Sequence, residues 1–247
     1  MAPNKKYKGT SHKSRKTLWL AIGIIVIVII AAGTYVVIGR LGNSLNSSPT
    51  PTPTPNTSPT PSVTSSTTST PTQALPQDNG VYSSTSTKVL LHTTAGDITI
   101  ELRDDKPITT ANFINIVKKG WYDGTIFHRV IAGFMIQGGA ITQTVPPIQD
   151  EIGTNNSNVA YTIAMAKTSS PNSATSEFFI NVANNGNNPI DAQGTKFDAV
   201  YTEFGRVIAG QNVVDAIANA PVTTNQNTGE DSQPVNPVTL ISATVVS

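Results

Sequence analysis

The chain has no cysteine among its 247 residues, and only 13% of its residues are charged. The lack of cysteine excludes disulfides, thiolate metal sites, a catalytic cysteine and a lipid-modified N-terminal cysteine. Histidine is scarce as well, with three residues in the whole chain. No group of His, Asp and Glu has the spacing of metal ligands, so the sequence predicts neither a metal nor an organic cofactor.

Acidic residues are missing from the N-terminal part of the chain. Residues 1–40 contain seven lysines and arginines and no acid, whereas residues 81–247 contain nine basic and fourteen acidic residues. The near-neutral net charge of the whole chain is therefore the sum of a basic N-terminal segment and an acidic remainder. Because nucleic-acid binding needs clustered Lys and Arg against the phosphates, we expect no nucleic-acid partner for the acidic part.

Long apolar runs are also scarce, and the one that stands out lies near the N-terminus. Residues 18–38 carry no charge, and at ~1.5 Å rise per residue a helix of this length spans the ~30 Å core of a bilayer. Six basic residues precede it, so the positive-inside rule predicts a cytoplasmic tail over residues 1–17 and an extracytoplasmic remainder. The alternative is a cleaved signal peptide ending near Ala31 and Ala32, which would give a secreted protein.

Residues 39–80 are rich in Pro, Thr, Ser and Asn and have little to bury. This composition predicts a disordered, solvated linker between the transmembrane helix and a globular domain over residues 81–247. Two interpretations of the linker remain, a plain tether and a stalk that extends the domain through a cell-surface layer.

The globular part combines many short strands with two helices. The pattern predicts a hairpin over residues 88–102 with a turn at Gly96-Asp97. A first helix begins at a Thr109 or Thr110 cap and ends at Gly120, and a second fits residues 212–218. Further strands are predicted at residues 160–166, 177–182, 203–207 and 238–246. A mainly β fold follows, with one antiparallel barrel whose open ends the helices cover.

Residues 127–139 read FHRVIAGFMIQGG and carry the main functional signal. Their alternation predicts a strand, a break at Gly133 and a second strand. We expect Arg129, Phe134, Met135 and Gln137 to meet at one small concave patch across this bend. A guanidinium beside an apolar floor can hold a peptide carbonyl while a compact ring, such as that of proline, is buried.

The same run resembles the central motif of the cyclophilins, the peptidyl-prolyl cis-trans isomerases. Residues 163–181, IAMAKTSSPNSATSEFFIN, resemble the second motif of that family in its bacterial form, and the likeness extends from about Val89 to the C-terminus. The resemblance implies a closed eight-stranded antiparallel β-barrel capped by two α-helices, with a substrate groove on its outer face. It also implies peptidyl-prolyl isomerase activity.

By motif position, the resemblance assigns the catalytic role to Arg129. The residues that it assigns to the proline pocket are Phe134, Met135, Phe179, Ile190 and Tyr201. Gln137 and the backbone of Ala166 and Lys167 are expected to bind the peptide.

Two further residues within these motifs, Glu177 and His128, are titratable. Glu177, which is assigned to substrate binding with the residues above, stands where the family usually has glutamine. Our hypothesis is that, if it lies within reach of Arg129, it pairs with the guanidinium. His128 has the opposite parity to Arg129 and is interpreted as a structural histidine.

The function predicted from the sequence is a membrane-anchored, extracytoplasmic prolyl isomerase that assists the folding of exported proteins. Its expected partners are unfolded or extended polypeptides with accessible X-Pro bonds, and the membrane through the N-terminal helix. A monomer is expected. One alternative is a non-catalytic proline-peptide-binding module or chaperone on the same fold, and another is a structural display element on a stalk.

Overall fold

A computed structural model of the protein describes residues 74–246. The predicted cytoplasmic tail, the predicted transmembrane helix and most of the predicted linker lie outside these residues. Within residues 74–246, no helix has the length and apolar character needed to cross a membrane. Residues 74–80 form no helix or strand, yet Pro76 is buried and the Ala74 carbonyl accepts a 3.0 Å hydrogen bond from the Gln211 side-chain amide.

The described residues form ten strands, two α-helices and one short 3-10 helix at Phe197–Ala199. The strands are β1 (Lys88–Thr93), β2 (Gly96–Leu102), β3 (Arg129–Ile131), β4 (Met135–Gly138), β5 (Thr162–Met165), β6 (Phe178–Asn181), β7 (Glu203–Ala209), β8 (Val222–Thr224), β9 (Asp231–Pro234) and β10 (Leu240–Val246). The helices are α1 (Pro107–Lys118) and α2 (Gln211–Ala218).

Eight of these strands form one antiparallel sheet in the order β10-β1-β2-β7-β5-β6-β4-β3, and β8 pairs with β9 in a separate ribbon. The sheet curls so that the chain before β3 meets the chain before β10. Ile126 forms an isolated antiparallel bridge with Thr239, and the Phe127 N–H donates to the Val238 carbonyl at 3.0 Å. The predicted eight antiparallel strands and two helices are confirmed, but the edges meet through this bridge rather than through a continuous ladder between β3 and β10.

The core lies on the inner face of the curled sheet. Because side chains alternate along a strand, Val130, Ile136 and Ile180 point inward from three neighbouring strands and are almost completely buried. Phe113 of α1 meets Phe178 of β6 edge-on, with ring centroids 5.6 Å apart. Burial of one such aromatic side chain contributes about 1.5–3 kcal/mol, so α1 is held mainly by its apolar stripe.

The start of α1 differs from the prediction. Neither Thr109 nor Thr110 is the cap, because the helix begins at Pro107, whose fixed φ suits the first helical position. The carboxylate of Glu151 accepts hydrogen bonds from the N–H groups of Ile108 (3.1 Å) and Thr109 (2.8 Å). A residue 42 positions away thus provides the cap, which a local sequence pattern does not reveal.

Two other boundaries and one additional element can be compared with the predictions. The turn between β1 and β2 lies at Thr94-Ala95, two residues before the predicted turn. Gly120 follows the end of α1 with a φ of 64°, as the predicted helix stop requires. The ribbon of β8 and β9 was not predicted, because its polar residues lack the alternation of a half-buried strand.

Candidate active site

One row of residues crosses the outer face of the sheet and positions the site. Arg129 on β3 lies opposite Gln137 on β4, and Gln137 lies opposite Phe179 on β6. Phe179 in turn lies opposite Ala164 on β5. Residues in register across antiparallel strands point to the same face, so Arg129 and Gln137 meet as the sequence predicted. The register adds Phe179, which the family resemblance had assigned to the proline pocket, to the same face.

A cavity of about 320 Å³ opens over this row. Its apolar part is lined by Phe134, Met135, Phe179, Phe197 and Tyr201, and Arg129 stands beside them. The polar part is lined by Gln137, Ala166, Lys167, Thr168, Ser173, Thr175 and Glu177. The apolar part offers aromatic and thioether surface against which a compact ring can be buried, whereas the polar part offers hydrogen-bonding groups to an extended chain.

Four aromatic rings form the floor and wall of the apolar part. The Phe197 ring meets Phe134 and Phe179 edge-on, at centroid distances of 5.7 and 5.6 Å, and lies 4.4 Å from Tyr201. Phe197 was missed in the sequence because it lies outside both family motifs, residues 127–139 and 163–181. Ile190, which was assigned to the pocket, packs against this aromatic cluster but does not line the cavity.

Hydrogen bonds from asparagine side chains hold the backbone of this aromatic wall. Asn185 donates to the Phe134 carbonyl at 2.8 Å, and Asn156 donates to the Tyr201 carbonyl at 2.7 Å. The side-chain amide of Asn158 donates to the Asp198 carboxylate at 2.9 Å, which fixes the residue next to Phe197. These buried amides therefore set the positions of three rings, and the density of asparagine in this part of the sequence is the signal that was available for them.

Arg129 is held by a carboxylate that sequence analysis did not identify. Its Nε donates to Glu230 Oε2 at 2.6 Å and its Nη2 donates to Glu230 Oε1 at 2.7 Å, a bidentate ion pair. Nη1 is directed to Gln137 Oε1 at 3.4 Å. The pKa of Glu230 lies below its usual value, because Arg129 donates these hydrogen bonds and the Ser232 hydroxyl adds another.

Glu230 is placed by the turn of the ribbon between β8 and β9. Its carbonyl accepts a 2.8 Å hydrogen bond from the Asn225 N–H, and β9 packs beside β3. The ribbon thus places the Glu230 carboxylate beside the Arg129 guanidinium, although the two residues are 101 positions apart in the sequence. Nothing in the local pattern around Glu230 signals this contact.

The pair between Glu177 and Arg129 that the sequence suggested does not form. Glu177 Oε2 accepts a 2.8 Å hydrogen bond from the Gln137 side-chain amide and lies 3.4 Å from His128 Nε2. The pKa of Glu177 is lowered by the hydrogen bond with His128 and further by that with Gln137, against the effect of burial. Since Gln137 gives its NH₂ group to Glu177, its oxygen faces Arg129, and the two carboxylates lie at opposite ends of one hydrogen-bonded series.

His128 lies outside the cavity lining, as expected for a structural residue. Its backbone N–H donates to the Gln137 carbonyl at 3.0 Å, and its buried Nδ1 has no partner among the described residues.

The two remaining predicted residues lie along the polar part. The Ala166 N–H donates to the Glu177 carbonyl at 2.9 Å, which continues the pairing of β5 with β6 to this residue. Lys167 Nζ lies 2.7 Å from Asp150 Oδ2, and its side chain is only 5% exposed. Both residues line the cavity, but the lysine charge is already paired. In residues 74–246, no group of three or more His, Asp or Glu side chains is arranged to hold a metal ion.

Comparison with known proteins agrees with this architecture. Residues 88–245 match the family described as cyclophilin type peptidyl-prolyl cis-trans isomerase/CLD. A peptidyl-prolyl cis-trans isomerase of Acinetobacter baylyi is 46% identical over 172 residues, which cover 66% of this chain and 87% of that protein. The isomerase cyp18 of Streptomyces antibioticus is 46% identical over 165 residues, which cover 64% of this chain and 98% of that protein.

Solved structures give the same result. A cyclophilin-type peptidyl-prolyl cis-trans isomerase of Cryptosporidium parvum superposes with a TM-score of 0.55 at 25% identity, covering 66% of this chain and 98% of the other. A second crystal structure of that protein, obtained in the presence of the dipeptide Ala-Pro, gives a TM-score of 0.54 at 26% identity, covering 65% and 99% of the two chains. The chain therefore belongs to the cyclophilin-type peptidyl-prolyl cis-trans isomerase family, and it is an enzyme of that class.

Proposed function

We propose that the chain accelerates rotation about X-Pro bonds in exported polypeptides, and so assists their folding outside the cytoplasmic membrane. The observation that carries the catalytic part is a guanidinium fixed at the edge of an apolar cavity, with Arg129 beside Phe134 and Phe179. The Ala-Pro dipeptide used with the Cryptosporidium relative supports a proline peptide as the ligand class.

The barrier to prolyl rotation comes from amide resonance and amounts to ~18–20 kcal/mol. Rotation needs no nucleophile, but it is favoured when the prolyl nitrogen accepts a hydrogen bond and the C–N bond loses its double-bond character. In the proposed mechanism Arg129 donates that hydrogen bond while the ring occupies the apolar part of the cavity. An acceleration of about 10⁵ would need about 7 kcal/mol of preferential transition-state binding, which a few aligned donors in a water-poor site can provide.

Each neighbour has a distinct role in this mechanism. The four aromatic rings and Met135 exclude water, which strengthens the hydrogen bond from the guanidinium. Glu230 occupies Nε and one hydrogen of Nη2, and Gln137 Oε1 faces Nη1. The second hydrogens of Nη1 and Nη2 therefore remain for the substrate. Gln137 and the carbonyl of Ala166 bind the peptide backbone on one side of the rotating bond, and the other side stays free to turn.

The proposed location rests on the sequence before the described residues. The uncharged stretch at residues 18–38 and the basic residues before it support a single-pass anchor with a cytoplasmic N-terminus. Secretion after cleavage near Ala31 and Ala32 is the alternative. In both arrangements the clients are exported chains.

A protease-coupled assay with a proline tetrapeptide tests the catalytic proposal. The full chain should accelerate the isomerisation, and Arg129→Ala should lose at least about a hundredfold in kcat/KM, the scale found for removal of one aligned donor. Arg206→Ala is the matched control, because Arg206 is also ion-paired, to Glu101 at 2.8 Å, but does not line the cavity. Equal rates for wild type and Arg129→Ala would falsify the assignment.

A further inference from the structure

Some charged side chains around the cavity have a partner of opposite charge, whereas Glu177 has no Lys or Arg partner among the described residues. Arg129 is paired with Glu230, and Lys167 is paired with Asp150. Glu177 has only the neutral amide of Gln137 and the ring of His128 as side-chain partners, and no Lys or Arg pairs with it among residues 74–246. Its side chain is 40% exposed, so the cavity presents an accessible carboxylate that lacks a permanent cation.

The position of this carboxylate relative to the apolar part is set by the sheet. Glu177 lies two residues before Phe179, and its carbonyl accepts a hydrogen bond from the Ala166 N–H at 2.9 Å, so the pairing of β5 with β6 continues to this point. Residues two apart along a strand share a face and lie about 7 Å from each other. An extended peptide covers the same distance in two residues.

The direction of the peptide follows from the proposed function, on which this inference rests. The prolyl nitrogen is bonded to the residue that precedes proline, so the preceding chain leaves the ring at the atom that Arg129 is proposed to contact. Gln137 lies next to Arg129, and Glu177 lies next to Gln137 on the side away from the guanidinium. The residues before proline therefore run from the apolar part toward Glu177.

We propose that Glu177 makes this isomerase prefer substrates with Lys or Arg two positions before proline. A cationic side chain at that position would pair with the free carboxylate, whereas an acidic side chain would be repelled. The pairing is partly exposed to solvent, so its effect on selectivity should be modest and should weaken as salt is added.

The test uses three N-terminally blocked peptides, Xaa-Ala-Pro-Phe-anilide with Xaa as Lys, Gln or Glu, and the full-length chain at low ionic strength. We expect kcat/KM for the Lys peptide to exceed that for the Glu peptide about three- to fivefold, the range of an exposed ion pair. In Glu177→Gln this ratio should fall close to one. In the control Asp97→Asn the ratio should persist, because Asp97 is a 58% exposed carboxylate on β2, paired with His92 outside the cavity.

Three results would overturn the inference: no preference in the wild type, an unchanged ratio in Glu177→Gln, or an equal fall in Asp97→Asn. The last would attribute the preference to the general negative charge of the domain. These outcomes differ from a failure of the proposed function, in which the wild type would isomerise none of the three peptides.

Discussion

At the scale of single residues, the site depends on how the guanidinium of Arg129 is held. An isolated arginine on a strand samples many rotamers, and ordering it costs conformational entropy in each substrate encounter. Here the two hydrogen bonds that Arg129 donates to one carboxylate fix the planar group, and the Gln137 oxygen lies 3.4 Å from its third nitrogen. Glu230 is therefore a positioning residue, which orients the donor without contacting the substrate.

We predict that Glu230→Gln lowers kcat about tenfold and leaves KM nearly unchanged. The amide keeps one acceptor for Arg129 but loses the charge and the bidentate geometry, and a small misplacement of a catalytic group has large kinetic effects. Asp231→Asn is the control, since this adjacent carboxylate binds Thr224 instead. Steady-state kinetics on a proline peptide would contradict the positioning role if Glu230→Gln were as active as wild type, or more so.

The same ion pair should make stability depend on pH. The pKa of Glu230 is lowered in the folded state by its hydrogen bonds with Arg129, so its contribution is present above the unfolded value of about 4.5 and is lost as pH falls through the folded value. The difference in unfolding free energy between wild type and Glu230→Gln should therefore shrink between pH 7 and pH 3. Urea denaturation at the two pH values measures it, and a constant difference would speak against the pair.

At the scale of elements, β4 is the strand on which the site is built, and glycines bound it on both sides. Gly133 before the strand and Gly139 after it both have positive φ, at 71° and 78°. A Cβ on Gly133 would meet nothing within 4 Å, whereas a Cβ on Gly139 would lie 2.8 Å from the Phe178 ring and 3.0 Å from the Ser176 carbonyl. The two positions share the backbone requirement but differ in packing.

These glycines provide a matched pair of variants. Gly133→Ala should cost about 1–2 kcal/mol, from the left-handed backbone alone. Gly139→Ala should cost about 1–3 kcal/mol more, because the Phe178 ring and a backbone carbonyl must move. Thermal or urea unfolding compares the two proteins, and equal losses would show that the contact with Phe178 relaxes freely.

The elements also show which parts of the site could be predicted. Arg129 and Gln137 lie on a hairpin whose alternation and break at Gly133 are visible in the local sequence, so their common face could be predicted. Phe179 lies on a strand that is buried at every position, and only the resemblance to the cyclophilins placed it in the pocket. Glu230 could not be predicted, because it reaches Arg129 only through the packing of a polar ribbon against β3. Phe197 begins a short 3-10 helix in a segment held by asparagine amides. The density of asparagine marks this segment, but the sequence does not reveal which groups the amides bind.

At the scale of the whole molecule, the described residues before β1 pack against the sheet and form hydrogen bonds with the domain. The Tyr82 ring lies 3.9 Å from the guanidinium carbon of Arg206, and the Asp104 N–H donates to the Val81 carbonyl at 2.9 Å. These contacts and the buried Pro76 attach residues before β1 to the sheet. Residues that precede β1 are therefore part of the folded domain.

The proposed membrane anchor gives a prediction at this scale. Expressed in bacterial cells, the full chain should remain in the membrane fraction after alkaline extraction, and protease added to spheroplasts should digest the isomerase domain. Two arginines in place of Val26 and Val28 should abolish insertion, at about 2.5–3.5 kcal/mol each, whereas leucines at both positions should not. An intact mass that begins after Ala32 would establish secretion, and a soluble, protease-protected chain would contradict export.

Arg129, held by Glu230 beside the apolar cavity, is expected to weaken the prolyl amide bond rather than only bind the peptide. Exchange NMR at equilibrium tests this most directly, because it measures cis-trans interconversion and binding of one proline peptide in the same sample. We predict that wild type produces fast exchange, and that Arg129→Lys, which keeps the charge but not the two-pronged geometry, binds within about threefold of wild-type affinity while exchange slows at least tenfold. Equal exchange rates at equal occupancy would contradict the account.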